Sequence, residues 1–159
     1  MDRLMFTSTF LAALGAGLMA GVFFAFSGFI LAALGRISPE TGIAAMQSLT
    51  STIKNPLFLS LFFGTAALSA VLGLAAPFRW SEPGAAWLLS GSALYLIGPF
   101  TVTLLRNVPL NNQLAQVEPA SAAGKKFWDT FLPTWTNWNH VRALAAFGAA
   151  VCFIMALTR

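Results

Sequence analysis

The sequence predicts an all-α, integral membrane four-helix bundle, with short interfacial helices in its first and third connections. Of its 159 residues, 57% are hydrophobic and 9% are charged, whereas charged residues make up about 25% of an average soluble domain. Four stretches contain no charged side chain: residues 4–35, 55–78, 83–105 and 143–158. The first three exceed the ~20 residues that cross a bilayer as a helix. The length fits one domain, residues 1–159.

The first span covers about residues 6–34, which is too long for the core of a signal peptide and predicts a retained helix. Small side chains recur along it every four residues, at Ala13, Gly17, Gly21 and Ala25. Such a stripe lets a second helix approach closely, either within the bundle or from another copy in a homo-oligomer. The segment FFAFSGF follows and predicts an apolar pocket lined by phenylalanines, namely Phe23, Phe24, Phe26 and Phe29.

The first connection predicts a short helix that begins at Ser38, with Pro39 in its first turn. Its apolar residues fall at helical spacing, which suits a helix on the membrane surface or over the mouth of the bundle. These residues are Ile43, Met46, Leu49 and Ile53. Pro56 begins the second span, about residues 56–75, and the polar turn PFRWSEPG follows, with Trp80 at the interface.

The third span covers about residues 84–106 and contains Pro99, which predicts a kink because proline lacks an N–H and clashes with the carbonyl of Tyr95. The third connection, residues 107–132, predicts an interfacial amphipathic helix with Phe127 and Phe131 on one face. The fourth charge-free stretch is shorter than a span. It reaches full length only if the helix starts between residues 133 and 139, so the fourth span, about residues 137–157, includes His140 and Arg142 in its first turns.

The formal charge of +4 and the pI near 10.0 reflect basic residues that flank the spans. The first and third connections hold more of them than the termini and the second connection. The positive-inside rule therefore predicts cytoplasmic long connections and outside termini, in a bilayer that we expect to be a bacterial cytoplasmic membrane. No dense basic patch occurs, so nucleic acid is not an expected partner. Cys152 is the only cysteine, which excludes an intrachain disulfide.

Polar side chains concentrate at one predicted membrane level. They are Asn55, Arg106, Asn107, Asn111, Asn112, Gln113, Asn137, Asn139, His140 and Arg142. In a helix that is already formed at Trp135, that residue shares a face with Asn139 and Arg142, and Trp138 is spaced to stack on Arg142. Each residue alone also has a structural interpretation. Asparagines at the start of a helix often cap it, and an arginine at the end of a span often reaches the lipid phosphates. Together they predict a pocket with a base, a cation, amides and aromatic walls.

Several chemistries are excluded by the residues that are available. One histidine cannot build a two-His–carboxylate iron site or a three-His zinc site within one chain. A single axial histidine for haem is formally open, but nothing else in the sequence supports it. No phosphate-binding loop and no serine nucleophile motif occurs. We therefore expect no cofactor and no metal, and chemistry in which an apolar acidic substrate is deprotonated and its anion stabilised.

Five segments together resemble a family of small four-helix membrane proteins that includes the anthrone oxygenases of aromatic polyketide pathways. They are GVFFAFSGF, GIAAMQSL, NPLF, NVPLNNQLA and the W-x-x-WNHVR motif that ends at Arg142. The resemblance implies a membrane bundle and, for its characterised members, oxygenation of an anthrone to an anthraquinone without an evident metal or flavin. The positions that match are Asn55, Asn107, Asn111, Trp135, Trp138, Asn139, His140 and Arg142.

The first functional hypothesis is a cofactor-independent oxygenase acting on an apolar phenolic substrate of the anthrone type. His140 is the predicted base, because its reference pKa suits that role. Arg142 and Asn139, with Asn111 opposite, are predicted to stabilise the oxyanion. The predicted substrate contacts are Asn55, Asn107, Trp135, Trp138, Phe26 and Tyr95.

The alternative is a membrane protein that holds a quinone, a lipid or another apolar ligand without converting it, or serves as an accessory subunit. A transporter is a weaker third, because no inverted repeat and no carboxylate within a span is present.

Overall fold

The fold is all-helical, and four of its helices are long and apolar enough to cross a membrane. The computed structural model describes residues 2–159. The four long helices are α1 (Arg3–Leu34), α3 (Pro56–Arg79), α4 (Ala85–Ala115) and α5 (Ala122–Leu157). A fifth helix, α2 (Pro39–Thr52), joins α1 to α3. The chain is thus a multi-pass membrane protein with the predicted fold class.

The main core is built from small side chains where α1 and α5 meet. Alanines at fully buried positions of both helices, such as Ala12, Ala16, Ala146 and Ala149, let the two backbones pack closely. Phe62 and Leu72 of α3 complete this core together with Leu88 and Tyr95 of α4. The outward faces carry exposed large apolar side chains, which suits contact with lipid rather than water. Examples are Phe24, Leu57, Leu74, Ile97, Leu144 and Phe147.

A second core lies at the end of the bundle that carries α2. Ile43 and Met46 of α2 are fully buried there against Trp128 and Phe131 of α5. As predicted, Ser38 caps α2, since its side chain accepts a hydrogen bond from the Thr41 backbone N–H. The side-chain amide of Gln47 donates 2.9 Å hydrogen bonds to two carbonyls at the end of α4, those of Leu114 and Val117. This end of the bundle is therefore tied together by α2.

The opposite end of the bundle holds both termini and the turn after α3. Arg79 forms ion pairs with Asp2 at 2.6 Å and with Glu82 at 2.9 Å. The Met5 backbone N–H and then the Arg79 guanidinium hold the pKa of Asp2 below its usual value. The two ends of the molecule therefore differ: one is closed by a helix and the other by a polar turn.

The last span differs from the sequence-based expectation in its length. Helix α5 begins at Ala122, capped by the Ser121 side chain on the Gly124 N–H, and continues without a break to Leu157. The predicted interfacial helix of the third connection is therefore the first part of α5, and the connection itself is only residues 116–121. Pro133 lies inside this helix, because buried aromatic side chains on both sides of it, Phe131 and Trp135, hold the segment in place.

The stripe of small residues on α1 makes little contact within the bundle. Ala13 is buried, but Gly17 and Gly21 are exposed and a Cβ added at either would meet nothing within 4 Å. Other glycines make close helix contacts, and Gly15 and Gly98 make the closest of these. A Cβ on Gly15 would overlap the Thr65 side chain of α3, and one on Gly98 would overlap the Cβ of Ala145 on α5. Self-association through the stripe stays a prediction.

We expect Gly98→Ala to lower the free energy of unfolding by about 1–3 kcal/mol, because the added methyl group forces α4 away from α5. The measurement is thermal unfolding in detergent. Gly17→Ala is the matched control, because it adds the same methyl group at an open position of a neighbouring helix. Equal effects from the two substitutions would contradict the predicted close contact between α4 and α5.

Candidate functional site

A cavity of about 260 Å³ lies between the helices at the end that carries α2. This volume approaches the ~300–1,000 Å³ of typical small-molecule sites. Its wall is mostly aromatic and aliphatic, with Phe58, Phe62 and Phe63 from α3 and Phe26 from α1. Leu49, Thr50 and Ile53, from α2 and the residue after it, line the side towards the end of the bundle. The cavity is thus an apolar slot enclosed by all five helices.

Arg142 provides the buried charge of this cavity. Its side chain is buried, with 5% of the residue exposed, and the guanidinium lies 4.4 Å from the ring centre of Phe23 and 4.9 Å from that of Trp135. One terminal nitrogen, Nη1, donates to Thr103 Oγ1 on α4 at 3.1 Å. From Arg142, α5 continues to Leu157, a rise of about 22 Å, so the cation lies near one boundary of a ~30 Å hydrocarbon layer.

Asn139 orients this cation. The asparagine is fully buried, and its Nδ2 donates to the Phe23 carbonyl of α1 at 2.6 Å and to Ser27 Oγ. Its Oδ1 accepts a hydrogen bond from Arg142 Nη2. Because both amide protons are engaged by α1, the oxygen is directed at the guanidinium. Asn139 therefore links α1 to the charged group of α5.

Trp135 connects two further asparagines of α4 to the cavity wall. Its Nε1–H donates to Asn111 Oδ1 at 2.8 Å, and its backbone carbonyl accepts from Asn107 Nδ2 at 3.3 Å. Both contacts fix amide orientations. The buried Asn107 Oδ1 and Arg142 Nε have no hydrogen-bond partner among residues 2–159. The site thus contains buried polar atoms that the protein itself does not satisfy.

The backbone of two spans departs from α-helical geometry beside the site. Residues Phe26–Ile30 of α1 and Leu96–Asn107 of α4 form π-helical turns, which often occur at functional positions. The second segment begins just before Pro99, where the sequence predicts a kink. The first segment follows Phe23, whose carbonyl accepts from Asn139, and the second contains Thr103, which contacts Arg142.

The structure brings together most of the predicted site, but not its histidine. Arg142, Asn139, Asn111 and Trp135 meet as expected, and Asn107 lies behind Trp135. His140 is exposed, because Asn139 and Arg142 share the inward side of α5 and the two residues between them, His140 and Val141, lie on other sides of the helix. The expectation that His140 lies in the pocket is wrong. A role for it as a base stays untested.

Other predicted contacts also lie elsewhere. Asn55 is exposed and caps α3, where its Oδ1 accepts from the Phe58 N–H at 3.0 Å. Trp138 stacks 4.8 Å from the guanidinium of Arg106, so its predicted stacking on Arg142 is wrong. Tyr95 is fully buried below the cavity, with its hydroxyl 3.3 Å from the Phe62 carbonyl.

Of the four phenylalanines predicted to line a pocket, two do so and two do not. Phe23 and Phe26 line the cavity, and Phe26 lies 5.6 Å from the Trp135 ring. Phe24 and Phe29 point outward, with 66% and 59% exposed. The π-helical turn that begins at Phe26 shifts which residues of this segment face inward.

Sequence analysis missed Ser27, Thr103 and Lys54. The first two carry hydroxyl groups that bind the site's polar atoms, and Lys54 lines the cavity from the α2 side. Ser27 and Thr103 were hidden among apolar neighbours, and only their position within a span was a signal. Residues 2–159 contain no group of three or more His, Cys, Asp or Glu side chains that could hold a metal ion.

Comparison with known proteins identifies one family. A family model described as anthrone oxygenase matches residues 58–152, which is more than half of the chain. The matched segment includes Thr103, Asn111, Trp135, Asn139 and Arg142, whereas α1 and α2 lie before it. Neither the curated proteins nor the solved structures gave a match.

We expect Asn139→Ala to lower the free energy of unfolding by about 1–3 kcal/mol, because it removes the buried hydrogen bonds of Asn139 to the Phe23 carbonyl and to Ser27 and leaves Arg142 Nη2 unpaired. The measurement is thermal unfolding in detergent. Asn137→Ala is the matched control, since Asn137 is exposed on the same helix. If the control loses as much stability, the predicted role of Asn139 in holding α1 to α5 is wrong.

Proposed function

We propose that the chain, which belongs to the anthrone oxygenase family, is a membrane-embedded oxygenase for flat, apolar, phenolic substrates of the anthrone type. The observation that carries the proposal is the position of Arg142. Its buried guanidinium lies at the polar end of a cavity whose other walls are aromatic and aliphatic. A cation there stabilises negative charge on a substrate oxygen more strongly than it would in water.

The walls of the cavity suit a flat aromatic ring system. Phe62 and Phe26 offer ring faces and edges on either side of the slot, and such surfaces favour stacked or edge-on aromatic partners. At the polar end, Arg142 and Asn111 line the cavity together. A substrate with rings in the slot and one oxygen at this end would satisfy both parts of the site.

The proposed reaction converts a methylene group of the substrate into a carbonyl group. The substrate loses one proton and its oxygen becomes an enolate beside Arg142. The enolate carbon passes an electron to dioxygen, the two radicals combine into a C–O bond, and the peroxide takes up a proton. Loss of the second C–H proton and cleavage of the O–O bond then give the carbonyl and one water. In sum, CH₂ and O₂ become C=O and H₂O.

The proposal assigns no step to His140, because its exposed side chain does not line the cavity. The chain's contribution is to bind the aromatic rings, to orient the substrate oxygen and to stabilise its charge. The proton of the substrate passes to water at the mouth of the cavity, beside Lys54.

Entry from the bilayer is consistent with the outer rim of the cavity. Leu59 and Phe63 of α3 and Leu104 of α4 line the cavity, yet they are 36%, 48% and 41% exposed on the outer surface. An apolar substrate dissolved in lipid would pass between these side chains without crossing water.

A second candidate, a protein that holds a quinone-like ligand without converting it, is favoured by the lack of carboxylate and imidazole groups among the described residues that line the cavity. Turnover separates the two candidates. Tight binding of an anthraquinone without dioxygen uptake on any anthrone would support the ligand-holding function.

We expect purified, metal-stripped protein to consume dioxygen with an anthrone and to form the quinone. Arg142→Gln is expected to lower kcat/KM by about 10²–10³-fold, because the developing oxyanion loses its cation. His140→Ala and Arg106→Gln are expected to keep activity close to that of the unaltered protein. Dioxygen uptake and quinone absorbance are the measurements. Loss of all activity on chelation, or full activity in Arg142→Gln, would disprove the proposal.

We further propose that α2 and the short connection after α4 face the cytoplasm. The support is the larger number of basic residues in the segments that flank them, namely Arg36, Lys54, Arg106, Lys125 and Lys126, than at the opposite end of the bundle. In a Cys152→Ala background, Ser81→Cys is expected to react with a membrane-impermeant maleimide on intact cells. Gln116→Cys is expected to react only after lysis. Both positions are exposed, so the opposite pattern would reverse the proposed orientation.

A further inference from the structure

We infer that the cavity selects its ligand in the ionised state, so that an aromatic phenol or enol binds as the anion and loses its proton on entry. This inference rests on the proposed function and adds to it the charge state of the ligand and the source of the selectivity. It is carried by the charges that line the cavity, by the orientation of two amides and by one unsatisfied buried nitrogen.

The charged groups at the cavity are all cations. Arg142 and Lys54 are the charged side chains among the described residues that line it. On the neighbouring helix α4, Arg106 is exposed and stacks on Trp138 outside the cavity. His140 of α5 is exposed as well. The parts of α1 and α3 that line the cavity carry no titratable side chain, so Arg142 faces no protein carboxylate.

The uncharged polar groups of the site leave hydrogen-bond donors for the ligand. Asn111 Oδ1 is occupied by the Trp135 N–H, which leaves the Nδ2 of Asn111 as the group that this cavity-lining amide can offer. Asn139 Oδ1 is occupied by Arg142 Nη2. Arg142 Nε is buried and has no partner among residues 2–159. The one oxygen of the site without a partner among residues 2–159, Asn107 Oδ1, is buried behind Trp135 and outside the cavity lining. A ligand at this end therefore meets mainly hydrogen-bond donors, which require an acceptor.

The missing counter-charge favours an anion over a neutral ligand. Burial of an unpaired ion is costly, and the two neutral partners of Arg142, which are Thr103 and Asn139, offset only part of that cost. A phenolate or enolate oxygen supplies both the negative charge and the acceptor. A neutral phenol supplies a weaker acceptor and no negative charge.

Preferential binding of the anion lowers the pKa of the bound ligand. An opposite charge within ~4–6 Å typically lowers the pKa of an acid by about 1–3 units. The ionised ligand then predominates on the protein at a pH where the free ligand in buffer is still protonated. In this way the site forms the reactive anion without a side chain that acts as a base.

The test uses 7-hydroxycoumarin, a flat phenol whose anion absorbs at longer wavelength than its neutral form and which is no substrate for the proposed oxygenation. Protein in lipid nanodiscs is titrated from acid to alkaline pH with the bound probe. The expected result is a bound pKa about 1–3 units below that in empty nanodiscs. 7-Methoxycoumarin, which cannot ionise, is expected to bind with no dependence on pH.

Variants distinguish the effect of the positive charge at Arg142 from an effect of a change in the fold. Arg142→Gln is expected to remove the downward shift, Arg142→Lys to retain part of it, and Arg106→Gln, at an exposed arginine of the neighbouring helix, to leave it unchanged. If Arg142→Gln does not fold, Arg142→Lys and the titration of the unaltered protein still decide. An unshifted or raised pKa in the unaltered protein, or the same lowered pKa in Arg142→Gln, would overturn the inference. Anthrone turnover tests the proposed oxygenase separately, because the coumarin titration does not involve dioxygen.

Discussion

The contact between Arg142 and Asn139 is the constraint on which the site and much of the bundle depend. A guanidinium inside an apolar bundle requires partners from several helices, and here they come from three: Asn139 on α5, Thr103 on α4 and the ring of Phe23 on α1. Asn139 in turn requires the carbonyl and hydroxyl of α1. The polar groups of the site thus also fix how three spans pack against one another.

This constraint also accounts for where the helices are irregular. Regular α-helices satisfy their own backbone and offer few acceptors in a membrane. The π-helical turns change this pattern of backbone hydrogen bonds. One lies in α1 and one in α4, and both lie beside polar contacts of the site. The second irregularity contains Pro99, which cannot donate a hydrogen bond to the preceding turn. Irregular backbone is tolerated here since it borders a cavity and is enclosed by other helices.

The fold could be predicted because charge-free length and composition decide which segments cross a membrane. The start of α5 could not, since Pro133 normally ends or begins a helix and only tertiary packing of Phe131 and Trp135 keeps the helix continuous. Within the site, the spacing of Trp135, Asn139 and Arg142 predicted a shared face. The same spacing excludes His140 from that face, but it was predicted to belong to the site because an imidazole is suited to act as a base. Ser27 and Thr103 could not be predicted, because their roles depend on partners more than 35 positions away.

The residues of α2 that line one side of the cavity have a consequence for how ligand specificity could change between members of the family. The polar groups at Arg142 belong to the segment shared with the family, residues 58–152, whereas Leu49, Thr50 and Ile53 lie before it. Helix α2 is held to the rest by its own small core and by Gln47. Substitutions on its inner side could therefore reshape the space for a ring system while the charged end stays unchanged. One side of the cavity can thus vary while the segment that carries Arg142 is kept.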